Sequence, residues 1–200
     1  MQINFERKLG FDDVLIQPRP TELKSRSEVN LKVSYIGKHS KRLIEAFPVI
    51  VANMSCVATT SMAKALFPYE FFVALHKFIE EEILIDFFNQ EYSCKSFYTI
   101  GMNDDLEKLK RIVSKSKFLN KICLDVANGY MYEFLDFVKK VRDKFPDFTI
   151  MAGNVATPEG VENIIKAGAD IAKCGVGNGS FCETRNKAGV GYKQLSVALE

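Results

Sequence analysis

The sequence predicts an α/β fold of repeated strand and helix units with parallel strands, on three observations. Short apolar runs recur roughly every 25 residues, and runs of this length are typical of strands buried on both faces. Amphipathic helical patterns lie between them. Thr157 before Pro158 marks the start of one such helix, and Gly168 follows its last turn. Because strand and helix alternate, consecutive strands are expected to be parallel.

The predicted strands are residues 48–54, 71–75, 97–100, 121–126, 149–152 and 171–174. The apolar residues that share a helix face are Leu106, Leu109, Ile112 and Val113 in one helix, Phe134, Val138, Val141 and Phe145 in the next, and Val161, Ile164 and Ile165 in the third. A doubly wound sheet and an eight-stranded βα barrel both fit this pattern. A complete barrel takes about 250 residues. If the fold is a barrel, these 200 residues therefore contain only six of its eight strand and helix units.

Composition is that of an ordinary folded protein. The 200 residues are 47% hydrophobic and 26% charged, which allows a sizeable core. A net charge of +2 gives no strong field for nucleic acid or a membrane surface, and no apolar run has the length of a signal peptide or a spanning helix. Five cysteines, at positions 56, 94, 123, 174 and 182, lack disulfide-framework or zinc spacing. We expect one cytoplasmic domain over residues 1–200, with reduced thiols.

The segment most typical of a functional site is residues 175–185, directly after the sixth predicted strand. Its glycines at 175, 177 and 179 allow the backbone to approach a ligand closely. A dinucleotide fingerprint would need a glycine where Ser180 stands. The better interpretations are a ring of carbonyls and amides that holds a monovalent cation or an oxyanion, and a plain tight turn.

Cys182 lies in this loop and is the candidate nucleophile. A thiol in a glycine-rich loop beyond a strand is accessible, and attack requires the thiolate. The alternative role is that of a small buried hydrophobic residue, which we assign to the other four cysteines. Thr184 either positions or relays a proton or only satisfies nearby backbone groups.

Other candidates follow other strands, whose carboxyl ends converge in both architectures. Lys77 is suited to bind a phosphate or to polarise a leaving group. The alternative is that it is an ordinary surface lysine. Asp125 binds a ribose hydroxyl or caps the next helix, and Asn154 follows the fifth strand. His39 and His76 are the two histidines of the chain, which leaves few partners for a cysteine and histidine pair.

Several segments together resemble the family of IMP dehydrogenases and GMP reductases, over residues 9–200. They are residues 9–18, 23–27, 52–54, 76–77, 125–130, 152–155 and 189–191. The chain lacks a large insertion after the second strand and has no serine-rich turn at 126–128. In both respects it resembles the reductase branch of the family. The resemblance implies a TIM (β/α)8 barrel. About the first six βα units are present here, so we expect the N-terminal part of a truncated barrel.

The resemblance also implies an activity, the NADPH-dependent conversion of GMP to IMP and ammonia, in a homotetramer. Cys182 would attack the purine C2 to give a thioimidate, and Thr184 would assist proton transfer as the amine leaves. Positions that match the family's NADPH contacts are Ser25, Arg26, Lys77, Asp125, Val126, Ala127, Val176 and Gly177. Positions that match its potassium site are the carbonyls of Gly177, Gly179 and Cys182, with Arg185.

Some positions depart from the family pattern, namely Asn178, Glu183 and the pair 55–56. Glu183 places a negative charge beside the candidate nucleophile. Two other functions stay open: an IMP dehydrogenase-type oxidoreductase without the insertion, and an inactive half barrel that acts as an interaction module. Because the last two units of the family's barrel are not present, we expect the 200 residues alone to turn over slowly or not at all.

Overall fold

The computed structural model describes residues 5–104, 106–180 and 182–200, and its central feature is a curled sheet of six parallel strands. The strands are β1 Val33–Ile36, β2 Leu43–Ala46, β3 Ile50–Val51, β4 Phe72–Leu75, β5 Ser96–Ile100, β6 Lys121–Asp125, β7 Thr149–Val155 and β8 Ile171–Cys174. β1 and β2 form an antiparallel hairpin, and β3 to β8 form the sheet in chain order. A doubly wound sheet needs a point where strand order reverses. The six described strands have none, which confirms the barrel interpretation and makes the doubly wound alternative wrong.

The six predicted strands correspond to β3 to β8. β8 has the predicted bounds, whereas β3 is shorter than the predicted strand 48–54. β7 continues past its predicted end through Asn154 to Val155, and Val155 pairs with Cys174 beyond an irregularity in the register. The hairpin of β1 and β2 was not predicted, because its strands carry mostly exposed side chains and lack a buried apolar run.

Seven helices in the described residues connect or follow the strands. They are α1 Thr60–Leu66, α2 Glu81–Phe88, α3 Leu106–Lys115, α4 Tyr132–Lys144, α5 Pro158–Ala167, α6 Glu183–Ala188 and α7 Gln194–Leu199. The Thr157 hydroxyl accepts a hydrogen bond from the Gly160 N–H at 3.2 Å, and Gly168 ends α5 with φ of 122°. Both predicted end signals of α5 are therefore confirmed. Within the described residues, we find no helix with the length and apolar character needed to cross a membrane.

Two apolar layers lie on the two faces of the sheet. Side chains alternate between faces along a strand, so Val73 and Leu75 of β4 belong to the outer layer under the helices. Phe72 and Ala74 belong to the inner layer. The outer layer includes fully buried residues such as Phe134, each contributing about 1.5–3 kcal/mol on transfer from water. Helix packing therefore stabilises the curl of the sheet from outside.

Asp170 fixes the hairpin to the N-terminal end of the sheet. Its carboxylate accepts hydrogen bonds from the N–H groups of His39 at 2.8 Å and Ser40 at 3.0 Å, both in the hairpin turn. It also accepts one from Ile150 at 3.1 Å and pairs with Arg142 at 2.7 Å. Because the Asp170 side chain is fully buried, this network closes one end of the sheet. The candidate site lies at the other end.

Candidate active site

Lys173 joins the carboxyl ends of three strands. Its Nζ donates to Asn53 Oδ1, just after β3, at 2.6 Å, and it forms an ion pair with the Asp125 carboxylate at the end of β6. The Lys173 and Asp125 side chains are 23% and 31% exposed. Sequence reasoning missed Lys173, although a charged residue inside an otherwise apolar predicted strand was the signal that could have found it.

Lys77 and Asp125, two of the predicted site residues, lie on either side of Gly101, just after β5. A side chain carbon added at Gly101 would lie 3.4 Å from Lys77 Nζ and 3.8 Å from the Asp125 carbonyl oxygen. Asp104 lies there too, and its carboxylate accepts a hydrogen bond from the Gly101 N–H at 2.5 Å. The ends of β4, β5 and β6 therefore converge, as the sequence predicted.

The glycine-rich loop after β8 is held between β7 and the segment before α7. The Gly175 N–H donates to the Val155 carbonyl at 2.8 Å, and the Val176 carbonyl accepts from the Tyr192 N–H at 2.8 Å. Gly177 has φ of 63°, and a side chain carbon there would lie 2.6 Å from the Val190 carbonyl oxygen. Only glycine meets both conditions without strain, so this part of the loop has a defined path.

Asn154 supports the same loop from β7. Its Nδ2 donates to the Gly175 carbonyl at 3.2 Å. Its Oδ1 is buried and has no hydrogen-bond partner among the described atoms. An unsatisfied buried acceptor is costly, which makes this oxygen a point where a bound group with a donor would be stabilised.

Cys182 lies at the start of α6 and is partly exposed. Its backbone N–H donates to the Gly179 carbonyl at 3.1 Å. The Thr184 side chain lies outside the described residues, so its predicted position beside the thiol is not described. Glu183 forms an ion pair with Lys187 at 2.8 Å, and both side chains are 79% exposed. The carboxylate next to the candidate nucleophile is therefore paired in solvent.

The predicted cation ligands lie within this loop. Arg185 packs on its glycines, since a side chain carbon added at Gly177 would lie 3.3 Å from Arg185 Cβ, and one added at Gly191 would lie 3.2 Å from Arg185 Cγ. The Gly179 carbonyl uses one of its two lone pairs to accept from Cys182. The other lone pair, with the carbonyls of Gly177 and Cys182, is the hard neutral type of donor that suits a monovalent cation.

The other residues predicted to bind the cofactor lie in three places. Arg26 begins the exposed short 3-10 helix Arg26–Glu28, and Ser25 is its N-cap residue, whose hydroxyl forms a hydrogen bond with the Ser27 hydroxyl at 2.8 Å. Val126 is tied to β7, because its N–H donates to the Gly153 carbonyl at 2.9 Å. Ala127 follows it and is exposed.

The two histidines make local hydrogen bonds, and the predicted burial of the other cysteines is only partly confirmed. A His39 ring nitrogen bonds the Ile165 carbonyl at 2.7 Å at the hairpin end, and His76 Nδ1 accepts from the Phe78 N–H at 3.2 Å. Cys123 is buried, as predicted. Cys56 and Cys174 are exposed, so a buried role for them was wrong. Cys56 follows a short edge strand in a turn, and Cys174 is the last residue of the edge strand β8.

Comparison with known proteins shows the family of the chain. The sequence model described as "IMP dehydrogenase / GMP reductase domain" matches residues 91–200. The chain belongs to this family. The chain is similar to GMP reductase 2 of Bos taurus, with 45% identity over 99% of the chain and 58% of that protein. It is also 46% identical to GMP reductase 1 of Rattus norvegicus and 47% identical to the GMP reductase of Klebsiella pneumoniae, in each case over 100% of the chain and 59% of the relative.

A solved structure supports the same fold. The crystal structure of inosine 5' monophosphate dehydrogenase from Legionella pneumophila superposes with a TM-score of 0.81 at 30% sequence identity, covering 96% of this chain and 58% of that one. The chain therefore spans somewhat more than half the length of the family members that it matches.

Proposed function

We propose that this chain carries the nucleophile and part of the cofactor site of a GMP reductase, which converts GMP to IMP and ammonia with NADPH. The observation that carries the proposal is the position of Cys182, partly exposed at the start of α6 in the loop after β8. Lys77, Asp125 and Lys173 lie at the same ends of the parallel strands. The naming of curated relatives as GMP reductases supports this choice of substrate.

In the proposed reaction the Cys182 thiolate adds to the purine C2 of GMP. The C2–N bond breaks, the amine takes up protons and leaves as ammonia, and a thioimidate joins Cys182 to the base. Thr184 passes a proton to the departing amine. Hydride then adds at C2, the C–S bond breaks, and IMP and the free thiolate result. Covalent capture divides one difficult substitution into two easier steps.

NADPH supplies that hydride when bound. Lys77 and Asp125 fit such a ligand because an ammonium group suits a phosphate and a carboxylate accepts from a ribose hydroxyl. Val126, Ala127 and the loop residues Val176 and Gly177 supply backbone groups at the same end of the strands. Ser25 and Arg26 are proposed to contact a phosphate from their own exposed segment.

Lys173 is part of this site through Asp125. Its ion pair holds the Asp125 carboxylate in one orientation, and its hydrogen bond to Asn53 ties that orientation to the end of β3. The carbonyls of Gly177, Gly179 and Cys182, together with Arg185, are proposed to hold potassium, which would fix the path of the loop around the nucleophile.

The family resemblance further supports a single partial barrel domain over residues 1–200, a cytoplasmic location and a homotetramer. The alternative activity is that of an IMP dehydrogenase, which is the name of the matched solved structure. An interaction module without activity is the other alternative.

Substrate choice separates these functions. The purified chain, alone and after co-expression with the last part of a curated relative, is mixed with GMP and NADPH, or with IMP and NAD⁺, in potassium buffer. We expect NADPH oxidation with GMP in the co-expressed sample and slow or no oxidation with the chain alone. NAD⁺ reduction with IMP as the faster reaction would identify a dehydrogenase, and inactivity of a purified stoichiometric complex with both pairs would reject the proposal.

A further inference from the structure

A polar cavity of about 430 Å³ lies at the N-terminal ends of the central strands, away from the candidate active site. Lys121 is the first residue of β6, and Lys95 directly precedes β5. The volume is within the range of about 300–1,000 Å³ that is typical of small-molecule sites. The charged residues that line the cavity are Lys32, Glu45, Glu70, Lys95 and Lys121.

The Lys121 ammonium group has only uncharged hydrogen-bond partners. Its Nζ donates to the Cys94 carbonyl at 2.8 Å and to Asn120 Oδ1 at 2.7 Å. Because an ammonium group has three N–H bonds, one remains available to the cavity. Among the described residues, no carboxylate acts on Lys121. A largely buried cation without an anionic partner is costly, so an anion that enters the cavity would be stabilised beside it.

Lys95 brings a second ammonium group to the same cavity. Its Nζ donates to the backbone carbonyl of Glu45 at 2.7 Å and lies 5.4 Å from the centre of the Phe72 ring. Its two other N–H bonds have no acceptor among the described contacts. The Lys95 charge also acts on Lys121. Two positive charges with unused donors therefore lie near each other at one cavity.

The two carboxylates that line the cavity do not neutralise these charges. Glu70 forms an ion pair with Lys32. Glu45 is exposed, and it is the backbone of Glu45 that accepts from Lys95. Arg42 adds a further positive charge that acts on the cavity. The positive charges therefore outnumber the negative ones around this cavity.

The protonation of Lys121 depends on the same surroundings. Burial lowers the pKa of its ammonium group to about 8; the Cys94 thiol opposes this change, and the Arg42 and Lys95 charges add to it. The Arg42 guanidinium is held near by its hydrogen bond to the Asp147 carbonyl. A bound anion would favour the ammonium form and raise this pKa. Anion binding should therefore weaken as pH rises through the range in which Lys121 loses its proton.

We propose that this cavity binds a phosphate group, either free phosphate or that of a small organic phosphate, between the ammonium groups of Lys95 and Lys121. A phosphate group carries nearly two negative charges at neutral pH and has several strong acceptor oxygens, which matches two cations with unused N–H bonds. Leu43 and Ile44 line the same cavity and give an organic phosphate an apolar surface. Lys121 and Asp125 are the opposite ends of β6, so this ligand would not compete with GMP, and the proposal does not depend on the GMP chemistry.

Calorimetric titration of the folded chain tests binding directly. The probes are inorganic phosphate, ribose 5-phosphate and ribose, at a constant ionic strength set with sodium chloride. We expect binding of both phosphates and none of ribose. Equal affinity for the two phosphates would identify free phosphate as the sufficient ligand, whereas tighter binding of ribose 5-phosphate would identify an organic phosphate. Both results support the shared phosphate site.

Four variants locate the site. Lys121→Met and Lys95→Met each remove one ammonium group and should weaken phosphate binding about 10-fold or more. Lys166→Met on α5 is the matched control, because it removes the same charge from a side chain that is 66% exposed. Lys77→Met removes a lysine of the candidate active site and should also leave this binding unchanged. Far-ultraviolet circular dichroism shows whether each variant folds, and Lys95→Met serves if Lys121→Met does not fold.

The pH dependence gives an independent readout. Affinity for phosphate should fall between about pH 7.5 and about pH 9, where Lys121 loses its proton while the phosphate charge changes little. Lys121→Met should lose this dependence. Four results would overturn the proposal: no binding of either phosphate, equal weakening by Lys121→Met and Lys166→Met, weakening by Lys77→Met alone, or an affinity that is constant over this pH range.

Discussion

Lys173 and Asp125 form an ion pair across the inner face of the curled sheet, linking β8 to β6. The same ammonium group bonds Asn53 after β3, so one side chain ties together strands that are not neighbours. Because both charges are mostly shielded from solvent, removal of the lysine leaves the Asp125 carboxylate without its partner.

Lys173→Ala should therefore lower the free energy of unfolding by about 1–2 kcal/mol, less than for a fully buried pair because some solvent reaches both groups. Urea unfolding measures the change. Lys187→Ala is the matched control, since its pair with Glu183 is 79% exposed on both sides. The control should cost no more than about 0.5 kcal/mol. Equal costs for the two variants would mean that the Lys173 bridge has no special role.

Gly177→Ala should disturb the loop more than Gly189→Ala, although both glycines have a left-handed backbone with φ of 63° and 66°. A side chain carbon at Gly177 would approach the Val190 carbonyl oxygen to 2.6 Å, whereas one at Gly189 would meet nothing within 4 Å. We expect a cost of about 1 kcal/mol for Gly189→Ala and about 2–3 kcal/mol for Gly177→Ala in urea unfolding. A Gly177→Ala cost no larger than that of the control would show that the loop takes another path.

Asp170 should make the free energy of unfolding depend on pH in the acidic range. Burial by itself would raise the pKa of this carboxyl, but hydrogen bonds from the N–H groups of Ser40, Ile150 and His39, together with Arg142, lower the pKa below its usual value of 3.8. The stabilising contribution is therefore fully present above the unfolded pKa and is lost as pH falls through the lower folded pKa.

Asp170→Asn should lower the free energy of unfolding by about 3 kcal/mol at neutral pH, because an amide cannot accept all of these bonds. The difference from the unmodified chain should shrink as pH falls below the usual carboxyl pKa of 3.8 and through the lower folded pKa. Asp136→Asn is the control, since Asp136 is paired only with Lys139 at 3.3 Å among the described contacts, and both side chains are exposed. A difference at Asp170 that does not change with pH would contradict the assignment of the carboxylate as charged.

Thiol labelling should separate Cys182 from Cys123. Burial raises the pKa of the Cys123 thiol to about 11, so at about pH 8 it has little thiolate and no access to reagent. We expect iodoacetamide to label Cys182 in the folded chain and Cys123 only after unfolding, with peptide mapping as the measurement. Exposed Cys56 and Cys174 should also be labelled, Cys174 more slowly because partial burial raises the pKa of its thiol. Cys182→Ala should remove one label and leave thermal stability nearly unchanged, whereas a large loss of stability would identify Cys182 as a core residue.

The sequence was sufficient for the parallel strands, because buried strands leave short apolar runs such as Phe72–Leu75, with recognisable helix ends between them. It was also sufficient to bring Lys77 and Asp125 together, because the carboxyl ends of parallel strands lie at one end of the sheet. The hairpin of β1 and β2 could not be found in this way. It is held by Asp170, whose backbone partners lie far away in sequence and leave no local pattern.

Lys173 shows a second limit of sequence reasoning. The bounds of its strand were predicted correctly, whereas the prediction that this strand is buried on both faces was wrong, because β8 is only partly buried. The ion pair depends on the curl of the sheet, which brings β8 opposite β6 and the end of β3. Periodicity describes which face a residue occupies and does not describe what lies across the interior. The same limit applies to Cys174, whose exposure follows from its place on an edge strand.

The most direct test of the account is to locate a covalent nucleotide on Cys182. The co-expressed complex is mixed with GMP in potassium buffer, with and without NADPH, quenched in acid, and analysed by intact mass and peptide mapping. The account predicts an adduct of GMP less ammonia on the Cys182 peptide, absent in Cys182→Ala and retained in Cys56→Ala. An adduct on another cysteine, or NADPH oxidation with GMP that persists in Cys182→Ala, would contradict it.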